Sequence, residues 1–206
     1  MSSPCTSLAA LLDPRPAPAP LVVTPAHVGG PVAWSDLRRS GALAVLHDGV
    51  AVASGSVVES PHRALALAGD VPARCVLAAS TAAWVHTGLY DGGAAPAWPA
   101  DAPVELAYAP DTHYPAARPG RVTRRAPGLT RDTVLLAGVA VTGMVRTAVD
   151  VACTAPPEAA VPVLVALAGR GVDLRHAARQ LDRRARVIGR PAAHRALAAA
   201  QKLLGV

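Results

Sequence analysis

The sequence predicts an α+β fold, and three observations predict it. Residues 32–53 read as a helix, a glycine and a hairpin. Residues 104–141 hold several short extended runs. Beyond Asp150 apolar residues recur at helical spacing almost to the end. The 206 residues allow one large domain or two small ones. The expected division is an N-terminal module, 1–55, and an α+β domain with a helical C-terminus, 56–206.

Residues 4–12 read as a short helix through Leu8, Leu11 and Leu12. Pro14, Pro16, Pro18 and Pro20 then make a stiff extended segment. Residues 32–40 read as a helix ending at Gly41, with Trp34 and Leu37 facing inward. Leu43–Leu46 and Val50–Ala53 pair as a hairpin turning at His47-Asp48-Gly49. Helix, glycine and hairpin in that order form the end of a winged helix-turn-helix. The proline run stands where its earlier helices belong, so the module is partly degenerate.

His62–Ala68 and Ser80–Gly88 read as helices, and 91–103 as a Gly/Pro/Ala-rich loop. Val104–Tyr108, Arg121–Arg125 and Thr133–Val141 are the strand segments, forming a small β unit. A longer loop, Ala109–Gly120, joins the first two. Helices over 157–169, 173–186 and 191–204 complete the chain, broken at Gly169, Gly171 and Gly189-Arg190-Pro191.

Composition restricts the function classes. Apolar residues make up 51% of the chain but Phe is absent, so Ala, Val and Leu must build the core. Lys202 is the only lysine beside 19 arginines, which fits a GC-rich coding bias rather than a functional choice of Arg over Lys. The net charge of +6 is uneven: residues 1–100 sum to −1 and 101–206 to +7. A basic second half suits an anionic partner, nucleic acid or an acidic protein surface. The alternative is ordinary solvation of an arginine-rich exterior. Cys5, Cys75 and Cys153 are scattered, with no CxxC or Cys/His cluster, so reduced thiols and no metal site are expected. No signal peptide and no membrane-spanning helix are expected, which points to the cytoplasm. GxxxxGK[ST] and GxGxxG are both missing, so no nucleotide cofactor is expected.

The arginines fall into groups. Arg38 and Arg39 lie on the helix before the hairpin, where they could meet a DNA duplex, with His47 and Gly49 at the wing tip. Residues 1–53 are nevertheless neutral overall, three arginines against three aspartates. Arg175, Arg179 and Arg183 recur every four residues on a helix that Asp173 can cap, a stripe for an anionic partner. Arg184 and Arg186 extend it, while Arg118, Arg121, Arg124, Arg125 and Arg131 form a further group around the strands. His86, in an Ala-rich helix without a nucleophile elbow, reads as a packed histidine rather than a general base.

The segment Gly138–Ala152 reads as a strand running into a helix. Thr142 is the expected N-cap, Arg146 and Asp150 an ion pair at i and i+4, and Val145, Ala148, Val149 and Ala152 the apolar stripe. That is a structural joint rather than a catalytic motif. Catalysis by Asp150 would need a second carboxylate or a metal, and the sequence shows neither beside it.

Two motifs carry a resemblance. Ser80, Ala82, Ala83, His86, Gly88 and Leu89 form the first. Gly138, Val139, Val141, Thr142, Arg146, Thr147, Asp150 and Ala152 form the second. In this order the chain resembles the AbiEi-type antitoxin family of actinobacterial transcriptional regulators, of type IV toxin–antitoxin systems, over about residues 20–185. The resemblance implies a DNA-binding winged helix acting on its own promoter and a domain that neutralises a nucleotidyltransferase-type toxin. The endonuclease-like domain of some relatives needs paired acids and a lysine, and Lys202 has no acid close by. A non-enzymatic protein without cofactor is therefore expected, and the apolar helices allow a homodimer. The alternatives are a degenerate nucleic-acid-processing enzyme and a non-catalytic interaction scaffold.

Overall fold

The computed structural model describes residues 21–184 and 188–205. It is a mixed α and β structure, as expected. The expected helix over 4–12 and the proline run lie outside the described residues, as does Arg186.

A 3-10 turn, Pro25–Val28, precedes helix α1, Pro31–Arg39. Trp34 is the buried residue of α1, and Leu37 is half-buried. Gly41 takes a left-handed backbone (φ 74°), and the hairpin follows: β1, Leu43–His47, and β2, Val50–Ala53. The register slips between Val45 and His47, leaving Leu46 as an extra residue. The bulge turns Leu46 into the core, where it is 1% exposed, and its carbonyl accepts the Trp98 backbone N–H at 2.7 Å.

Helix α2, Ser60–Ala66, leads to a strand that the sequence reading did not contain: β3, Cys75–Leu77. It is central to a five-stranded sheet of order β7-β6-β3-β9-β8. The others are β6, Val104–Tyr108; β7, Arg121–Arg125; β8, Thr133–Leu136; and β9, Val139–Thr142. β3 pairs antiparallel with β6 and parallel with β9, β6 pairs parallel with β7, and β8 antiparallel with β9. The single run expected over 133–141 is thus two strands. Ala137 and Gly138, both at positive φ, make the tight turn between them. A small ribbon pairs β4 (Leu89–Tyr90) with β5 (Gly93–Ala94), and its second strand lies in the segment expected as loop.

Helix α3, Ala79–Thr87, lies between the sheet and the remaining helices. Its residues Thr81 to His86 are all buried, the signature of a helix covered on every side. Ala82, Trp84 and Val85 join the sheet-side core with Leu77, Leu106 and Val141, while Ala83 joins the helical core with Ala148, Leu164 and Leu197. Small residues let both layers approach. The helical layer is α4, Met144–Thr154; α5, Pro157–Ala168; α6, Leu174–Arg183; and α7, Arg190–Leu204. Asp173 caps α6 as expected, its carboxylate accepting the Arg175 N–H at 2.8 Å. Among the described residues no helix is long and apolar enough to cross a membrane.

Candidate functional site

Thr142 does not cap α4. The N-cap is Gly143, and Thr142 ends strand β9 with its side chain fully buried. Its carbonyl instead accepts from two sides: from the Thr147 hydroxyl at 3.0 Å and from His86 Nε2 at 2.7 Å. The Thr142 and Thr147 hydroxyls meet at 2.8 Å. A glycine at the cap leaves threonine free to tie β9 to both α3 and α4. His86 is a packed, hydrogen-bonded residue, and burial holds its pKa below the ordinary value.

Arg146 Nε donates to both Asp150 oxygens, at 2.9 and 2.8 Å. Its NH1 reaches Asp132 at 3.0 Å and the Pro127 carbonyl at 3.2 Å, which fixes α4 against the chain before β8. Arg184, at the end of α6, donates to both carboxylates as well, at 3.3 Å to Asp150 and 3.2 Å to Asp132. The pair read from sequence is therefore a network of two arginines and two aspartates. A second carboxylate does stand near Asp150, contrary to the expectation, but both acids are occupied by guanidinium groups. Burial alone would lower the Arg146 pKa, and the charge and hydrogen bonds of Asp150, then of Asp132, lift it above its usual value. Burial pushes the Asp150 carboxyl the other way, upward, against the pull of Arg146 and Arg184. The two directions oppose each other. The ionised pair is the state the geometry favours, because both Asp150 oxygens accept guanidinium N–H groups.

This network forms the inner wall of a cleft of about 990 Å³ between the sheet and α6. Arg124, Arg125 and Arg131 line one side and Gln180, Arg183 and Arg184 another, over a floor that includes Ala78, Ala79, Leu106, Ala107, Ala126 and Pro127. Six arginines face three carboxylates there, Glu105, Asp132 and Asp150. Three of the mid-chain arginines, Arg124, Arg125 and Arg131, and the end of the α6 stripe, separate in sequence, therefore share one concavity. Glu105 Oε2 accepts the Ser80 N–H at the start of α3 at 2.8 Å, and Oε1 binds Arg124 at 3.0 Å. Ala79 adopts a left-handed backbone (φ 48°) on the cleft floor. Cys153 lies on the inner wall, and burial raises its thiol pKa, which makes it a poor nucleophile. A smaller cavity of about 230 Å³ lies across Glu105, beside Tyr90 and Asp91, and lacks a basic group.

The other expected site residues lie elsewhere. Arg38 and Arg39 are exposed at the end of α1, and Arg39 pairs with Asp36 at 2.7 Å. His47 is not a free wing-tip contact: its Nε2 meets Asp70 at 2.9 Å and its side chain is only 18% exposed. Asp48 and Gly49 (φ 73°) make the turn itself. Arg175 and Arg179 are exposed on α6, Arg179 reaching Asp173 at 3.3 Å, and of that stripe only Arg183 faces the cleft. Arg121 pairs with Asp70 at 3.1 Å. Arg63, read from sequence only as part of a helix, is buried and donates to the Val85 and Val58 carbonyls, both at 2.9 Å. Its desolvation, with Arg170 nearby, lowers its pKa to about 10. Among the described residues no cluster of His, Cys, Asp and Glu suits a metal ion.

No protein-family model matches the chain, and no curated protein matches it. Among solved structures the chain is similar to the one described as the crystal structure of RV2827C protein from Mycobacterium tuberculosis. The two share 20% identity at a TM-score of 0.42, over 89% of this chain and 72% of that chain.

Proposed function

We propose that this protein is an antitoxin-like transcriptional regulator that binds DNA and neutralises a nucleotidyltransferase-type toxin. The observation that carries the DNA-binding part is the pairing of α1 with the β1–β2 hairpin. Trp34 anchors the helix, leaving Arg38 and Arg39 exposed at its end. Arg38 has no carboxylate partner among the described residues. An exposed arginine beside a hairpin suits phosphate or guanine contacts in a groove. With His47 engaged by Asp70, the wing would act through the backbone at Asp48-Gly49 rather than through the imidazole. The toxin-neutralising part rests on the motif resemblance, supported by the exposed Arg175 and Arg179 on α6 as a face for an acidic protein surface.

The test is a mobility-shift titration on the DNA upstream of the protein's own gene, at two salt concentrations. Replacing Arg38 and Arg39 together by Ala should weaken specific binding more than non-specific binding. The salt dependence should fall by roughly 0.9 log unit per decade of salt for each phosphate contact removed. Unchanged promoter binding by that variant would reject the helix–hairpin unit as the reader.

A further inference from the structure

The geometry points to the cleft between the sheet and α6 as a binding site for the phosphates and bases of a short single-stranded nucleotide segment. Asp132 and Asp150 pair with Arg146 and Arg184, and Glu105 pairs with Arg124. Arg125, Arg131 and Arg183 have no carboxylate partner among the described residues, although Arg125 donates to the Pro110 carbonyl. The three acids thus hold their countercharge inside, and three positive groups remain at the cleft, on opposing walls.

Shape comes next. About 990 Å³ lies at the upper end of the range for small-ligand sites, and the site is concave rather than flat. A protein partner docks mainly across broad flat surface, whereas a nucleotide enters a cleft. The floor of Ala78, Ala107, Ala126 and Pro127 offers apolar surface to the face of a base. Guanidinium planes can stack on bases and chelate phosphate oxygens with paired N–H groups. The N-terminus of α3 is not the phosphate seat, because Glu105 already accepts its Ser80 N–H. Phosphates are therefore held by Arg131 and Arg183, with the base turned toward the floor. This site is independent of Arg38 and Arg39.

The test uses the full chain and fluorescence anisotropy with a fluorescein-labelled oligodeoxycytidylate hexamer. Wild type should bind. Replacing Arg131 and Arg183 together by Ala should weaken binding by roughly tenfold or more, since each removes a charge-assisted contact. The thermal midpoint should stay unchanged, because both side chains are exposed. The Arg38→Ala/Arg39→Ala variant should bind the hexamer as wild type does. The affinity should fall by about 0.7 log unit per decade of salt for each phosphate held. Competition by cytidine monophosphate at concentrations near the hexamer's would assign the site to free nucleotides, and competition by oligonucleotide alone would assign it to a strand. Four results would overturn the proposal: no binding by wild type, full binding by the Arg131/Arg183 variant, a matching loss in the Arg38/Arg39 variant, or equal displacement by a glutamate hexapeptide.

Discussion

Asp150 shows how far a local reading reaches at the residue scale. Its spacing from Arg146 gives an ion pair on one helix face, and that pair is present. Asp132 and Arg184, which complete the network, lie 18 and 34 residues away in the chain, where no periodicity connects them. Only the folding of β8 and α6 onto α4 brings them in. The network makes a specific energetic prediction. Asp150→Ala strands part of two guanidinium groups and should cost about 2–3 kcal/mol, less than for an isolated buried pair because Asp132 remains. Asp132→Ala, at the more exposed carboxylate, should cost about 1 kcal/mol. The double variant leaves Arg146 without a carboxylate and should lose more than the two singles added together, by about 1 kcal/mol. Urea denaturation of the three variants measures this. Additive losses would mean that the two aspartates act separately.

Among the elements, α3 is where burial controls chemistry. Sequence spacing placed this helix, with strands β6 and β7, because each is a short run that ends at a glycine or proline turn signal. It did not place β3, since Cys-Val-Leu is too short and too uniformly apolar to show alternation, although that strand joins the two halves of the sheet. It also assigned the α4 cap to Thr142, where a glycine serves and the threonine is spent on cross-linking instead. His86 is half of that cross-link. Burial depresses its pKa below the ordinary 6.5, the Thr142 carbonyl opposes this, and Arg170 and Arg63 reinforce it. The folded state therefore takes up a proton less readily than the unfolded chain. The stability tied to neutral His86 is complete above pH 6.5 and is lost as the pH falls below that value toward the folded pKa. The thermal midpoint of wild type should drop from about pH 7 to about pH 5 more than that of His86→Gln, which keeps a donor for Thr142 without a titrating ring. Equal pH responses in the two proteins would place the acid sensitivity elsewhere.

For the whole molecule, the sequence separates residues 1–55 from the rest by function, and packing does not follow that line. Leu46 and Val52 belong to the same apolar cluster as Leu67, Trp84 and Leu106. Trp98, in the segment read as a plain loop, packs edge-on to Trp84 and Tyr90 at ring distances of 5.4 and 4.9 Å and donates its backbone N–H to Leu46. His47 is joined to Asp70, which also holds Arg121 on β7. The hairpin is thus a wall of the sheet-side core. A bulge that redirects one leucine is invisible in a sequence that alternates normally, so the strand signal alone gives the hairpin but not its packing into the core. The consequence can be measured. Removing residues 1–55 takes Leu46 and Val52 out of the core, at about 1.5–3 kcal/mol for each side chain, and bares Trp98. Against a total stability of about 5–15 kcal/mol, that loss is a large fraction of what holds a domain folded. The shortened chain should unfold at a clearly lower urea concentration than the full chain, with its tryptophan fluorescence shifted toward that of exposed indole before the main transition. If instead it unfolds cooperatively at the full chain's midpoint, residues 56–206 fold as an independent domain. The hairpin would then be free to move on DNA as a separate body. If the shortened chain is destabilised, DNA contact at Arg38 and Arg39 reaches the sheet through a rigid connection.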